Sequence, residues 1–226
     1  MDLRFLKKKW LLAAVILTIV IVSSSLFLAT LKVDYDREND AVMLYFTNQS
    51  GMTDAFSALA RLTPSDAVVL CWWDYGRAVR EWSHREVIEA YPSKEIADSV
   101  GSTRSFWGNL GAQIFAKWGS NEKIQDIALA FMLNEEQSLQ ILSKYNARYV
   151  LVFVPDELQK FYWIAKIAGY NATNYLTYNE TAGSYEPTAR GEEVILLRLI
   201  YEDTWQPRHF TKIFNNEKAK IYKINL

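Results

Sequence analysis

The first strong signal along the chain is an unbroken apolar run. From Trp10 to Leu31 there is no charge and no proline. At about 1.5 Å rise per residue a helix of that length reaches roughly 33 Å, enough to cross a hydrocarbon core of about 30 Å. Ser23, Ser24 and Ser25 do not break it, because a helical hydroxyl can bond back to a carbonyl one turn earlier. Arg4, Lys7, Lys8 and Lys9 precede the run, while Asp34, Asp36, Glu38 and Asp40 follow it. That asymmetry puts the amino terminus in the cytoplasm and everything after Leu31 outside, at the cell membrane. A secretory signal would have a shorter apolar core ending in small residues, and Ala29-Thr30-Leu31 is a poor cleavage context. An uncleaved anchor is the favoured reading.

Beyond the anchor the pattern changes. Residues 32–52 are polar and mixed, and read as a tether or short helix. Ala55, Phe56, Leu59 and Leu62 recur at helical spacing, and Thr63-Pro64-Ser65-Asp66 closes that helix with a turn. Ala67 to Cys71 is apolar and rich in β-branched residues, predicting a short buried strand. Gly76 to Trp82 predicts a short helix and Val87 to Ala90 a second short strand. Ser93 to Trp118 reads as mainly helical, broken at Gly101, Gly108 and Gly111, with Phe106, Trp107, Phe115 and Trp118 as core contacts. Ile124 to Met132 is another apolar stripe. Asn134 and Gln137 have the spacing of a capping box, opening a helix with Leu139, Leu142 and Tyr145 on one face. Tyr149 to Val154 is continuously apolar, as a central buried strand is, and Pro155-Asp156 opens a helix running to about Gly169. Val194 to Tyr201 reads as a further strand. Phe210 to Phe214 and Ala219 to Ile224 read as an antiparallel hairpin turned at Asn215-Asn216.

Strand, helices, strand at this spacing predicts α/β crossovers with part of the sheet parallel. The expected fold class is therefore mixed α/β (α+β). It comprises a tail (1–9), an anchor (10–31), a tether (32–52) and a globular domain (53–226), with a partly parallel sheet, flanking helices and a closing hairpin.

Composition narrows the chemistry. A formal net charge of −1 with 23% charged residues gives no basic surface for nucleic acid, and Lys7 to Lys9 read as orientation and headgroup contacts. The 14% aromatic content, with 8 Trp and 13 Tyr, argues for a large ordered core. Cys71 is the single cysteine, so neither an internal disulfide nor a thiolate metal site can form. His84 and His209 lie far apart without ligand-spaced partners, and no cofactor is expected of this chain.

Trp72-Trp73-Asp74-Tyr75-Gly76 is the run that packing explains least. Adjacent tryptophans at a strand end point to opposite faces, and each indole carries one donor and no acceptor. Asp74 adds a carboxylate beside those donors, a combination suited to a small hydroxyl-bearing ligand. The plainer alternative is an aromatic corner with Asp74 as a helix cap. A second candidate lies after Pro155, where Glu157, Lys160 and Ile164 share one helix face; unaided, they read as a solvated Glu–Lys pair beside a buried isoleucine.

The Trp72–Gly76 run resembles the WWDYG signature of the oligosaccharyltransferase catalytic subunit, in its archaeal form. This family moves a lipid-linked glycan onto the asparagine of Asn-x-Ser/Thr sequons. The resemblance covers roughly Thr53 to Leu226. It implies that Trp72, Trp73 and Asp74 hold the sequon hydroxyl, with Tyr75 and Gly76 in support. The stretch Glu157 to Ile164 is similar to the family's second short motif, an Asp, a Lys three on, and a Met or Ile four further. That match implies that Lys160 orders the pocket and Ile164 touches a threonine methyl. Glu157 stands where the aspartate is usual, or else Asp156 takes its place one residue out of phase. The charged helix Arg77, Glu81, His84-Arg85-Glu86 and the run Ala90-Tyr91-Pro92-Ser93 depart from the family pattern.

The resemblance does not extend to the family's multi-span membrane domain, which binds the divalent metal and the lipid pyrophosphate. No catalytic residue is therefore expected here. The expected function is a membrane-anchored module recognising sequon peptides, acting with a multi-span transferase chain. The alternatives are a relic or docking domain with an unused pocket, or one chain of a split transferase. Sequons also occur in the chain itself at Asn48, Asn171 and Asn179.

Overall fold

A computed structural model describes residues 3–47, 49–100 and 105–225. In chain order the helices and strands open with α1 (Leu3–Thr47), α2 (Ser50–Leu62), β1 (Val68–Leu70), α3 (Trp73–Ala78) and β2 (Glu86–Val87). They continue with α4 (Lys94–Val100), α5 (Phe106–Phe115), α6 (Asn121–Met132), α7 (Glu135–Lys144), β3 (Ala147–Phe153) and α8 (Val154–Ile167). A small hairpin of β4 (Leu176–Asn179) and β5 (Ser184–Pro187) precedes α9 (Ile195–Ile200), and β6 (Phe210–Asn215) and β7 (Ala219–Ile224) close the chain. Two compact units result. One holds Met1–Met43 with Ser102–Ala116, the other Leu44–Gly101 with Lys117–Leu226.

In the first unit, Leu12–Arg37 of α1 is long and apolar enough to cross a membrane, with a mean hydropathy of 2.6. Thr18 and Thr30 bond back to the carbonyls of Ala14 and Leu26, which removes their hydroxyls from any demand on solvent. The helix continues to Thr47, so the segment read as a tether or short helix is helical over residues 32–47 and again from Ser50. Alongside it, α5 buries only small residues, Gly108, Gly111 and Ala112. A Cβ on Gly111 would stand 2.9 Å from the Tyr35 Cβ and 3.1 Å from the Leu31 carbonyl oxygen, which is why glycine is needed at this crossing. Phe106 and Trp107 are exposed and are not core contacts, contrary to the expectation from sequence.

In the second unit a five-stranded sheet has the order β2-β1-β3-β7-β6. β1 runs parallel to β2 and to β3, while β7 pairs antiparallel with both β3 and β6. The expected mixed sheet and closing hairpin are both present. β3 is the axis: all its residues but Arg148 are buried, and α7, α8 and α9 pack on it. Asn134 caps α7 by accepting the Gln137 amide, as its spacing predicts. α2 turns Met52, Ala55, Phe56 and Leu59 inward, and the Phe56 ring meets Phe153 and Trp82.

One element is corrected. Val194 to Tyr201, read as a strand, is a 3-10 exit followed by α9. Apart from Arg198 the run is apolar, so its pattern carries no period to separate strand from helix. Its leucines favour helix, and packing between α6 and β3 buries nearly all of it. The β4–β5 hairpin, turned through Gly183 in the left-handed region, carried no signal strong enough to predict it.

Candidate functional site

Because β1 and β3 are parallel neighbours, with Leu70 opposite Val150, the segments that follow them emerge at the same carboxyl edge of the sheet. The segment after β1 is the Trp72–Gly76 run, and the segment after β3 is α8. This is how two motifs more than eighty residues apart come to share one site.

Trp72 caps α3 and is buried, its ring 6.3 Å from that of Trp73. Gly76 permits the turn of α3 to lie against the chain after β2. A Cβ there would stand 2.5 Å from the Glu89 carbonyl oxygen and 2.7 Å from the Ala90 Cα. A π turn, Val79–Ser83, continues α3 and ends at His84 in the left-handed conformation. The charged residues that depart from the family pattern do structural work here. Arg85 is buried and donates to the carbonyls of Ala60, Thr63 and Ser83 and to Thr63 Oγ1, closing the carboxyl end of α2. Arg77 and Glu81 pair one turn apart, and Arg80 pairs with Glu86.

Lys160 joins the two motifs. Its Nζ donates to Asp74 Oδ2 at 2.6 Å and to the Tyr75 hydroxyl at 2.7 Å. The Tyr75 hydroxyl in turn donates to Asp156 Oδ2 at 3.1 Å, and Asp156 lies 4.0 Å from Lys160. The acid that completes this network is thus Asp156. The i,i+4 spacing of Asp156 and Lys160 carried that signal.

Glu157 instead points inward, fully buried, with neither carboxyl oxygen making a hydrogen bond among the described residues. Burial pushes its pKa well above the usual carboxylate value, reinforced by Asp74 and Asp156. The nearby Phe153 amide and Lys160 oppose the shift without reversing it, although the amide lies outside hydrogen-bond geometry. Asp74 is also raised, first by burial, while Lys160 pulls it back down. Burial likewise pushes the Cys71 thiol up, with Asp74 and Glu157 adding to it. Ile164, expected beneath a threonine methyl, is fully buried in the core with Phe161 and Ala165.

Two polar atoms remain unmatched at the half-buried rim. Trp73 Nε1 is a buried donor and Asp74 Oδ1 a buried acceptor, each without a partner among the described residues. Native interiors leave few such groups unmatched. They belong to consecutive residues, one a donor and one an acceptor, the two roles that a hydroxyl complements. Elsewhere, a cavity of about 470 Å³ lies at the amino-terminal edge of β1 and β3, lined by Asp66, Val68, Arg148, Tyr149 and Lys223.

Among the described residues no group of three His, Cys, Asp or Glu could hold a metal ion. The carboxyls near Lys160 do not fit one: an ammonium already lies between Asp74 and Asp156, and Glu157 faces the core. Of the chain's own sequons, Asn48 lies outside the described residues. Asn171 accepts from Thr173, and Asn179 donates to Glu186.

No protein-family model matches the chain. The dolichyl-diphosphooligosaccharide–protein glycosyltransferase subunit stt3 of Schizosaccharomyces pombe is 24% identical over 185 residues, covering 74% of this chain and 20% of the relative. The STT3B subunit of Oryza sativa is 26% identical over 123 residues, covering 51% and 14%. The chain therefore spans about a fifth, or less, of the length of these curated relatives. Among solved structures, the C-terminal globular domain of an Archaeoglobus fulgidus oligosaccharyltransferase is similar with a TM-score of 0.52 and 19% identity, covering 78% of this chain and 97% of that domain. The C-terminal domain of Campylobacter jejuni PglB has a TM-score of 0.50 at 8% identity, covering 77% and 99%. An Archaeoglobus fulgidus oligosaccharyltransferase tethered to an acceptor peptide with an NVT sequon also has a TM-score of 0.50, at 16% identity, covering 74% and 24%. The chain is homologous to STT3/AglB oligosaccharyltransferase, and what it shares with the solved structures is the fold of their C-terminal globular domain.

Proposed function

We propose that this chain is a membrane-anchored module of the N-glycosylation machinery that reads the Ser/Thr hydroxyl of Asn-x-Ser/Thr acceptors. The observation that carries the reading is the unmatched pair at the rim. Trp73 Nε1 donates to the hydroxyl oxygen, and Asp74 Oδ1 accepts its proton. Lys160 and Tyr75 hold the other side of this arrangement, with Lys160 donating to Asp74 Oδ2 rather than to Oδ1. The structural neighbour that carries an NVT acceptor peptide supports a peptide as the ligand.

In this reading the module works beside a multi-span transferase chain. α1 anchors it in the cell membrane, with the basic amino terminus inside and the globular domain outside. One observation favours the rival reading, a relic with an unused pocket: Ile164 is sealed in the core.

Titration of the full chain with labelled Asn-x-Thr and Asn-x-Ala peptides separates the two. A hydrogen bond nets about 0.5–1.5 kcal/mol, so losing both predicts roughly tenfold weaker binding of the alanine peptide. Equal affinities, or no binding of either, would leave the relic reading.

A further inference from the structure

The outward face of α5 has the wrong chemistry for water. Its sequence, Phe106 to Phe115, contains no charged residue. Around the helix the residues fall into three arcs. Gly108, Gly111 and Ala112 are buried toward α1, Asn109 and Gln113 form one flank, and Phe106, Trp107, Leu110 and Ile114 form the rest. That last arc holds the exposed residues Phe106 (73%), Trp107 (49%) and Ile114 (51%). A helix on the surface of a soluble domain turns polar residues to solvent. Here the apolar side faces out.

The contacts with α1 fix the level of this face. The Trp107 ring meets Phe27 at 6.1 Å and the Phe115 ring meets Tyr35 at 6.2 Å, so α5 runs alongside α1 in the same direction. Phe27 lies about 6 Å inside the outer end of the uncharged stretch that closes at Leu31, and Tyr35 about 6 Å beyond it. At the upper level stand Lys32, Asp34, Asp36 and Arg37, with Lys32 Nζ 5.8 Å from the centre of the Phe115 ring. At the lower level the apolar arc is continuous with the exposed Leu26, Phe27 and Leu28 of α1.

We propose that α5 is a second membrane-contacting element, its Phe106–Trp107–Leu110–Ile114 face seated at the headgroup–acyl boundary of the bilayer that α1 crosses. The inference rests on the anchor reading of α1. The occupant of the face is lipid, because the face continues the apolar belt of a helix long enough to span the bilayer, and its depth matches the roughly 5–10 Å of interfacial helices. Trp107 then sits in the zone where tryptophan concentrates. Ser105 caps the deeper end and accepts the Gly108 amide, reducing the unpaired backbone groups that lipid would penalise. The module is thereby held at two points.

The test uses the full chain in phosphatidylcholine–phosphatidylglycerol vesicles, with a nitroxide placed in turn at Phe106→Cys, Ile114→Cys, Ile19→Cys and Gln140→Cys. The unlabelled parent, whose Cys71 is buried, is the blank. Collision with oxygen and with a water-soluble nickel chelate is read by power saturation. Phe106 is expected to favour oxygen over nickel several-fold more than the solvent-facing Gln140, with Ile114 shallower and Ile19 deepest. A nickel-accessible Phe106 beside a nickel-shielded Ile19 overturns the inference and leaves the anchor standing. A nickel-accessible Ile19 overturns the anchor, and α5 with it. An immobilised Phe106 label shielded from both reagents would mean that protein, not lipid, covers the face.

Discussion

Glu157 offers the sharpest test of the electrostatics at the site. Its carboxyl is fully buried with both oxygens unpartnered among the described residues, and burial raises its pKa well above 4.5. The folded chain therefore keeps this proton after the unfolded chain has released it. The group costs no titration energy below the unfolded value of about pH 4.5, and stability falls as the pH rises through that value toward the folded pKa. Glu157→Gln keeps the shape and removes the titration. Its stability relative to the parent should be near zero at pH 4 and grow more favourable with pH, by about 1.4 kcal/mol for each unit of pKa separation traversed. Glu157→Met goes further, replacing an unsatisfied polar group by an unbranched apolar one. It should add about 1–3 kcal/mol even at pH 4, because no partner is left stranded. For a chain of this size each kcal/mol moves the melting temperature by roughly 2–4 °C. Thermal unfolding of the detergent-solubilised chain, followed by intrinsic fluorescence at pH 4, 6 and 8, supplies the comparison. If the glutamine variant tracks the parent at all three values, the carboxyl is not held above its ordinary range. If the methionine variant is less stable, an unseen partner satisfies it.

Two further outcomes follow from the same region. Lys160→Met removes the cation between Asp74 and Asp156 and should destabilise the fold by about 1.5–3 kcal/mol at neutral pH, since charged hydrogen bonds at a half-buried site are lost. A double-mutant cycle with Asp74→Asn should return a coupling above roughly 0.5 kcal/mol, and a smaller value would mean that the pair behaves as an ordinary surface bridge. Gly76→Ala forces a Cβ against the backbone of Glu89 and Ala90, neither of which can rotate away, and should cost about 1–3 kcal/mol by denaturant titration. An unchanged midpoint there would mean that α3 can shift away from that crossing.

Much of the fold was legible where a residue's neighbours in sequence are also its constraints. The cap at Asn134, the buried strand through Val150 and the hairpin closing at Asn216 all announce themselves locally. Ile195 to Ile200 did not, because a run apolar but for Arg198 fits any largely buried element, and only the space between α6 and β3 decides. Of the site, the residue types were readable and their partners were not. Asp156 and Glu157 both fall within reach of Lys160 along α8. Which one turns outward depends on the roll of α8 against β3, a tertiary quantity with no local signature. Phe106 and Trp107 depart from expectation for a related reason: aromatic residues suggest a core, and their exposure on α5 is decided by how that helix lies on α1.

That roll also divides the proposed recognition into two parts of unequal cost. The rim groups Trp73 Nε1 and Asp74 Oδ1 belong to half-buried residues, so a hydroxyl needs only local side-chain adjustment to reach them. Ile164 lies one turn along α8 from Lys160, at the edge of the inward face, and is fully buried. Bringing it to a threonine methyl means unpacking part of that helix, and exposing an isoleucine costs about 1.5–3 kcal/mol. The methyl contact returns only about 0.8 kcal/mol. On these magnitudes the rim can read a hydroxyl, while a preference for threonine over serine has to come from a partner chain that repacks α8 and offsets the difference with its own contacts.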